Sequence, residues 1–228
     1  MRQGYLLLLV SILIGQVAAG QSPPKRSFMV GPVVGVDQAA YGGIGGKGAY
    51  FADARGRAAV GLEGAYRVNR FQAGIRALFC RRTLVETPEP GRFIDSGFPS
   101  PYDQVFRYQT DVAVVSVPVS AGYRLVPDGR FGWYVGANLA VEALVSQRNR
   151  RALDAGGKLL TLPTSEKIVG PNVSVGCGLQ STFSYAFTPL FVLQLEPAVR
   201  YHPYGLVLAE GMFQFQGTAA LLVKLNKP

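Results

Sequence analysis

The chain has 228 residues, of which 48% are hydrophobic but only 16% charged, with a net charge of +9 at pH 7. Soluble domains carry about a quarter charged residues, so an ordinary water-facing surface is already disfavoured. Beyond the first twenty residues nothing approaches the roughly eighteen uninterrupted apolar residues of a spanning helix, so any insertion into a bilayer has to be as a closed barrel.

The N-terminus reads as a secretory signal peptide, residues 1–20. Arg2 supplies the positive start, Leu6 to Ile14 the apolar core, and Val17-Ala18-Ala19-Gly20 the small-residue cleavage zone. Cleavage after Ala19 or Gly20 leaves 21–228 as a single exported domain. Export, with no recognition helix or base-stacking motif, argues against nucleic acid as the partner of the positive charge. Anionic outer-membrane lipid and lipopolysaccharide fit it better.

Ser27 to Gln38 alternates, with Phe28, Val30, Val34 and Val36 on one face, and predicts a first strand. Ala39 to Arg57 is Gly-rich and predicts a loop. Ala58 to Arg67 and Phe71 to Cys80 predict the next two strands, joined by a tight turn at Val68-Asn69-Arg70. Arg81 and Arg82 read as the point where the third strand leaves the apolar zone. A long loop covers Thr87 to Asp103, and a fourth strand Val105 to Arg124. The turn Val126-Pro-Asp-Gly-Arg130 carries a strong hairpin signal.

Phe131 to Ser146, FGWYVGANLAVEALVS, gives the clearest pattern. All eight odd positions from Phe131 to Val145 are apolar, while the even ones are mostly small or polar. Only a strand places alternate side chains on opposite faces, and a membrane strand needs about 9–11 residues. Asn149 to Lys167 predicts another long loop. Strands at Val169–Tyr185, Phe191–His202 and Phe213–Leu225 repeat the pattern, separated by a Thr188-Pro189 turn and a loop at 203–210. Pro32, Pro118, Pro171 and Pro197 fall inside predicted strands, where each removes a ladder donor, and are expected at bulges or strand ends.

The expected fold is therefore all-β: an eight-stranded antiparallel up-and-down transmembrane barrel with short periplasmic turns and longer extracellular loops. Tyr66, Phe71, Tyr123, Phe131, Trp133, Phe183, Tyr185 and Phe191 flank the tight turns and form an aromatic girdle. A soluble sandwich or lipocalin-like barrel would instead expose a Lys-, Glu- and Thr-rich face. Here the non-apolar face is Gly, Ser, Asn and Gln.

SVPVSAGYRL (Ser116 to Leu125), GWYVGANL (Gly132 to Leu139) and LQLEPAVRYHPYG (Leu193 to Gly205) resemble the bacterial outer-membrane β-barrel family that includes the PorT-like proteins. The likeness spans nearly the whole mature chain on short motifs. It implies an eight-stranded outer-membrane barrel, and membership of a protein-secretion machinery for PorT itself.

Few residues suggest chemistry. Gly43, Gly45 and Gly48 spell G-x-G-x-x-G without the strand-to-helix context that a dinucleotide site requires. His202, the only histidine, could serve a lipid-modifying enzyme as a base, yet no triad spacing surrounds it. Cys80 and Cys177 fall on opposite faces of different strands and read as two unpaired thiols. Glu63, Arg67, Arg76, Arg124, Glu142, Glu196, Arg200 and Lys224 point inward, where an eight-stranded barrel has room only for its own side chains. They are expected to pair into a charge network that plugs the lumen; a narrow channel is the alternative. Arg148, Arg150, Arg151 and Lys158 lie in the long loop and suggest lipopolysaccharide contact. The expectation is a monomeric, non-enzymatic outer-membrane protein without cofactor or metal, in a structural or surface-interaction role or alongside envelope or secretion proteins.

Overall fold

The computed structural model describes residues 26–41, 51–87, 107–126, 129–160, 172–204 and 211–225. The expected signal peptide, Gly43, Gly45, Gly48 and Pro171 lie outside the described residues. The strands are β1 (Arg26–Tyr41), β2 (Phe51–Val68), β3 (Phe71–Thr87), β4 (Arg107–Arg124), β5 (Phe131–Leu153), β6 (Leu159–Leu160), β7 (Val173–Ala186), β8 (Phe191–His202) and β9 (Met212–Lys224). The sheet order is β4-β3-β2-β1-β9-β8-β7-β5, and β4 pairs β5 to close it. Every pairing is antiparallel. The result is a closed eight-stranded barrel, with the two-residue β6 folded back on the end of β5.

Closure satisfies the backbone, which has no water to turn to inside a bilayer. Alternation then sorts the side chains. Val34, Leu62, Leu139, Val175, Leu195 and Phe215 are exposed on the outside, whereas the inner face carries most of the buried polar groups. Inside, one wall is apolar: Met29, Val33, Leu78, Cys80, Val192 and Leu222 belong to one buried cluster. The same strands carry buried polar side chains at other levels, among them Asp37, Glu63, Arg76, Arg82 and Gln214.

Several strands outrun their sequence-predicted limits. β1 reaches Tyr41, β2 begins at Phe51, β3 continues to Thr87 and β5 to Leu153. The alternation of burial continues past the last apolar outward residue, so Arg82 is a buried inward residue of β3 rather than a sign of its end. At the opposite end the turns are tight. Val68 pairs directly with Phe71 across Asn69-Arg70, where Asn69 has φ 54°, a left-handed conformation Asn tolerates better than most residues.

Pro32, Pro118 and Pro197 sit neither at strand ends nor at bulges. The β1–β9 ladder skips Gly31 and Pro32. The β3–β4 ladder skips Val117 and Pro118, and the β7–β8 ladder skips Glu196 and Pro197. Pro32, Pro118 and Pro197 each stay paired to the strand on the other side. The missing N–H thus interrupts one ladder locally while the barrel keeps its register.

Leu139, 52% exposed at the middle of the outer face, gives a test of the inverted surface. Leu139→Arg is expected to destabilise folding into phospholipid vesicles by about 2–4 kcal/mol, as for cations at a bilayer midplane. Denaturant titration of the folded barrel in vesicles measures this; no change would take Leu139 out of the hydrocarbon.

Candidate functional site: paired charge in the lumen

The lumen holds two tiers built alike. In the upper tier, nearer the long loops, Arg82 of β3 donates from Nε to Asp37 Oδ2 (2.6 Å). Its two terminal nitrogens form a fork on Glu142, at 2.8 and 2.7 Å. Gln214 of β9 donates its amide to both Asp37 Oδ1 and Glu142 Oε1, each at 2.8 Å. The Gln214 oxygen accepts from Arg200 (3.2 Å). Arg200 also donates to Asn138 (2.6 Å) and Gln216 (3.0 Å).

In the lower tier, Arg76 of β3 binds Glu63 through Nε (2.9 Å) and Nη2 (3.3 Å), and Glu196 through Nη1. Gln194 of β8 donates to Glu63 (2.6 Å) and accepts from Arg67 (3.3 Å). Arg67 also donates to Gln72 (2.7 Å). Thr182 caps Glu196 at 2.7 Å. Each tier therefore holds two carboxylates, one arginine forked between them, and a glutamine relaying to a second arginine. Each is electrically neutral. The guanidinium fork matches carboxylate geometry, which is why Arg rather than Lys occupies these positions.

Six of the eight residues predicted for the lumen network, namely Glu63, Arg67, Arg76, Glu142, Glu196 and Arg200, are brought together in these tiers. Arg124 and Lys224 are not. Arg124 is half-buried at the short-turn mouth, donating to the Phe131 carbonyl (2.9 Å), and Lys224 stands on the inner face of β9 with no carboxylate partner among the described residues. The lower tier, the nearer of the two, is already neutral and leaves them nothing to pair with. Sequence reasoning missed Asp37 and Arg82, which carry the upper tier. Continuing the inward alternation one step beyond Gly35 and Cys80 reaches both.

His202, fully buried, joins the upper tier. Asp37 and Glu142 fix the Gln214 amide nitrogen towards themselves, so its oxygen faces His202 Nε2 (3.1 Å) and that nitrogen carries a proton. Nδ1 lies 2.9 Å from the Ser174 hydroxyl, which also hydrogen-bonds the Tyr204 carbonyl. The ring packs on Gly176, where a Cβ would come within 2.4 Å of it.

The eight predicted girdle aromatics all face outward, 36–46% exposed. Phe71 meets Tyr123 edge-on at 5.3 Å, and Trp133 stacks on Phe183 at 6.0 Å. Trp133 also donates its indole N–H to Ser181 (2.8 Å). In the upper region Arg151 is a strand residue, 3.6 Å from Asp111. Lys158 is exposed in the turn between β5 and β6, its backbone N–H donating to Asp154 (2.8 Å). Arg148 and Arg150 belong to β5, and their side chains lie outside the described residues. Cys80 and Cys177 are both free, one buried in the lumen and the other on the outer face. Among the described residues no cluster of three or more His, Cys, Asp or Glu could hold a metal.

The solved structure of Neisserial surface protein A (NspA) is similar over 88% of this chain and 99% of that one, with a TM-score of 0.51 at 18% identity. The outer membrane protein OprG from Pseudomonas aeruginosa is similar over 91% of this chain and 99% of its own, with a TM-score of 0.53 at 10% identity. No protein-family model matches the sequence, and no curated protein does. The chain has the fold of the eight-stranded barrels of bacterial outer membranes. Its apolar outer face is the surface that location demands.

Removing one member of a buried ion pair leaves the other uncompensated, at a cost of about 3–5 kcal/mol. Arg82→Met is expected to lose that much in vesicle-folding titrations. Adding Glu142→Gln to Arg82→Met, which leaves Asp37 to balance Arg200, should recover most of it. Equal instability of the single and double variants would contradict the pairing.

Proposed function

We propose that this chain is a non-enzymatic, monomeric outer-membrane barrel with a closed lumen, serving a structural or surface-interaction role. The observation that carries this reading is the pair of neutral tiers. Arg76 and Arg82 are each spanned between carboxylates from different strands, so side chains cross the lumen twice. An eight-stranded barrel has little further interior to offer, which disfavours the narrow-channel alternative. Function then falls to the two ends. At the long-loop end, Arg151 and Lys158 offer positive charge to lipopolysaccharide phosphates. The PorT-like sequence resemblance supports association with secretion or envelope proteins, and co-purification after mild detergent extraction is the test of that narrower role.

Planar-bilayer recording tests the closed lumen. The wild-type barrel is expected to show no discrete conductance, whereas cutting back both tiers at once, Glu63→Ala/Arg76→Ala/Glu196→Ala with Asp37→Ala/Arg82→Ala/Glu142→Ala, should raise ion leak. Open wild-type channels would overturn the reading.

One observation favours a second reading, a lipid-modifying enzyme: Ser174 and His202 are hydrogen-bonded as a nucleophile and base are in hydrolases. Yet Ser174 is 2% exposed and His202 fully buried, and the serine's one proton has the Tyr204 carbonyl as a competing acceptor. A structural role suits them better. Ser174→Ala is expected to lower stability by about 1 kcal/mol and to leave any lipid-ester hydrolysis by the purified barrel unchanged. Abolished hydrolysis with intact folding would establish the enzyme.

A further inference from the structure

We propose that the short-turn mouth of the lumen is a binding site for a phosphate group presented from the periplasm. The inward-facing charges supply the first argument. Asp37, Glu63, Glu142 and Glu196 are balanced by Arg67, Arg76, Arg82 and Arg200 within the two tiers. Arg124 and Lys224 remain as a surplus of two positive charges, both at the same end.

Their placement supplies the second. In the strand order, Lys224 on β9 and Arg124 on β4 stand four strands apart in a ring of eight, across the lumen from each other. Arg67 on β2 lies midway, close enough to both for mutual repulsion to be felt. Arg67 and Arg124 also lie over the ring of Tyr134, at 4.9 and 5.9 Å from its centroid. Two cations therefore share one aromatic ring, and neither Arg124 nor Lys224 has a carboxylate partner among the described residues.

The third argument is unused donors. Arg124 Nε is buried without a hydrogen-bond partner, and Lys224 has none among the described residues. An unpaired buried donor calls for an explanation, and a bound ion is one of them. Arg26, Arg70 and Arg130 ring the same end and strengthen the positive field. A phosphate monoester carries about −1.5 to −2 charge at pH 7, which matches the surplus, and its oxygens suit guanidinium and ammonium donors. The lower tier closes the barrel behind this mouth, so the site is a blind vestibule and not a passage.

The source of the phosphate is either a soluble phosphate or phosphomonoester in the periplasm, or an acidic lipid headgroup of the inner leaflet. Calorimetric titration of inorganic phosphate into the barrel in phosphatidylcholine nanodiscs tests binding itself. It measures no flux or partner, so its failure leaves the closed-lumen reading standing. Saturable binding is expected, weakened about tenfold or more by Lys224→Gln or Arg124→Gln. Arg130→Gln, on the solvent-screened rim, should change it less than twofold. Retained heat-modifiability on gels confirms that each variant is folded. Repeating the titration in nanodiscs containing phosphatidic acid separates the sources: unchanged binding supports a soluble phosphate, and suppressed binding supports the lipid headgroup. Lack of saturable binding by the wild-type barrel, insensitivity to both mouth substitutions, or equally tight acetate binding would overturn the proposal.

Discussion

The inversion of the barrel governs everything else in this molecule. An apolar outer face puts the polar half of each alternating strand inside, where an eight-stranded barrel leaves little room for water. Charges confined there must find partners or cost several kcal/mol each. The two tiers are the solution this sequence adopts, twice over. An arginine is forked between carboxylates from two strands, and a glutamine passes hydrogen bonding on to a second arginine. Because Gln194 and Gln214 each donate with one end and accept with the other, they link carboxylates to an arginine that does not bond them directly. The same pairing holds strands β1, β3, β5 and β9 together across the upper lumen, and β2, β3 and β8 across the lower.

Faces were legible in the sequence, while strand ends were not. Alternation from Phe131 to Ser146 assigned every inward residue of that segment, including Asn138 and Glu142 of the upper tier. The outward face, however, is apolar only within the bilayer. After Val36 and Phe79 it turns polar at Gln38 and Arg81, although β1 and β3 run on. Reading the end of the apolar belt as the end of the strand cost Arg82 its place in the network, whereas Asp37 lay inside the predicted first strand and its inward position was overlooked. Ser174 and His202 illustrate a different limit. They are 28 residues apart and meet through the packing of neighbouring strands, and the length of the connection between them does not reveal that register. The prolines were misread because a missing donor was taken to need a strand end. In a closed sheet, each proline stays paired on its other side.

Side chains bridging the lumen at two levels direct attention to its ends. The long-loop end presents Arg151, 3.6 Å from Asp111, and Lys158, both exposed. The short-turn end gathers positive charge inside the girdle of Tyr66, Phe71 and Trp133, at the depth where headgroups lie. The Ser174–His202 pair lies between these ends, enclosed by the upper tier and Gly176. Its hydrogen bonds serve to fix the ring and the start of β7 against the end of β8. Surface charge at the ends and neutrality within are what a barrel needs if it works by contact and not by transport.

The two native thiols allow the central claim to be tested without any substitution. Cys80 faces the sealed lumen and Cys177 the surrounding lipid. The folded barrel in vesicles would be treated in parallel with a charged methanethiosulfonate and with a lipid-soluble maleimide, and the labelled sites mapped by mass spectrometry. The account predicts that the charged reagent modifies neither cysteine and the lipid-soluble one modifies Cys177 alone. Modification of Cys80 by the charged reagent would mean that water reaches the interior, and the paired tiers would not be the seal described here.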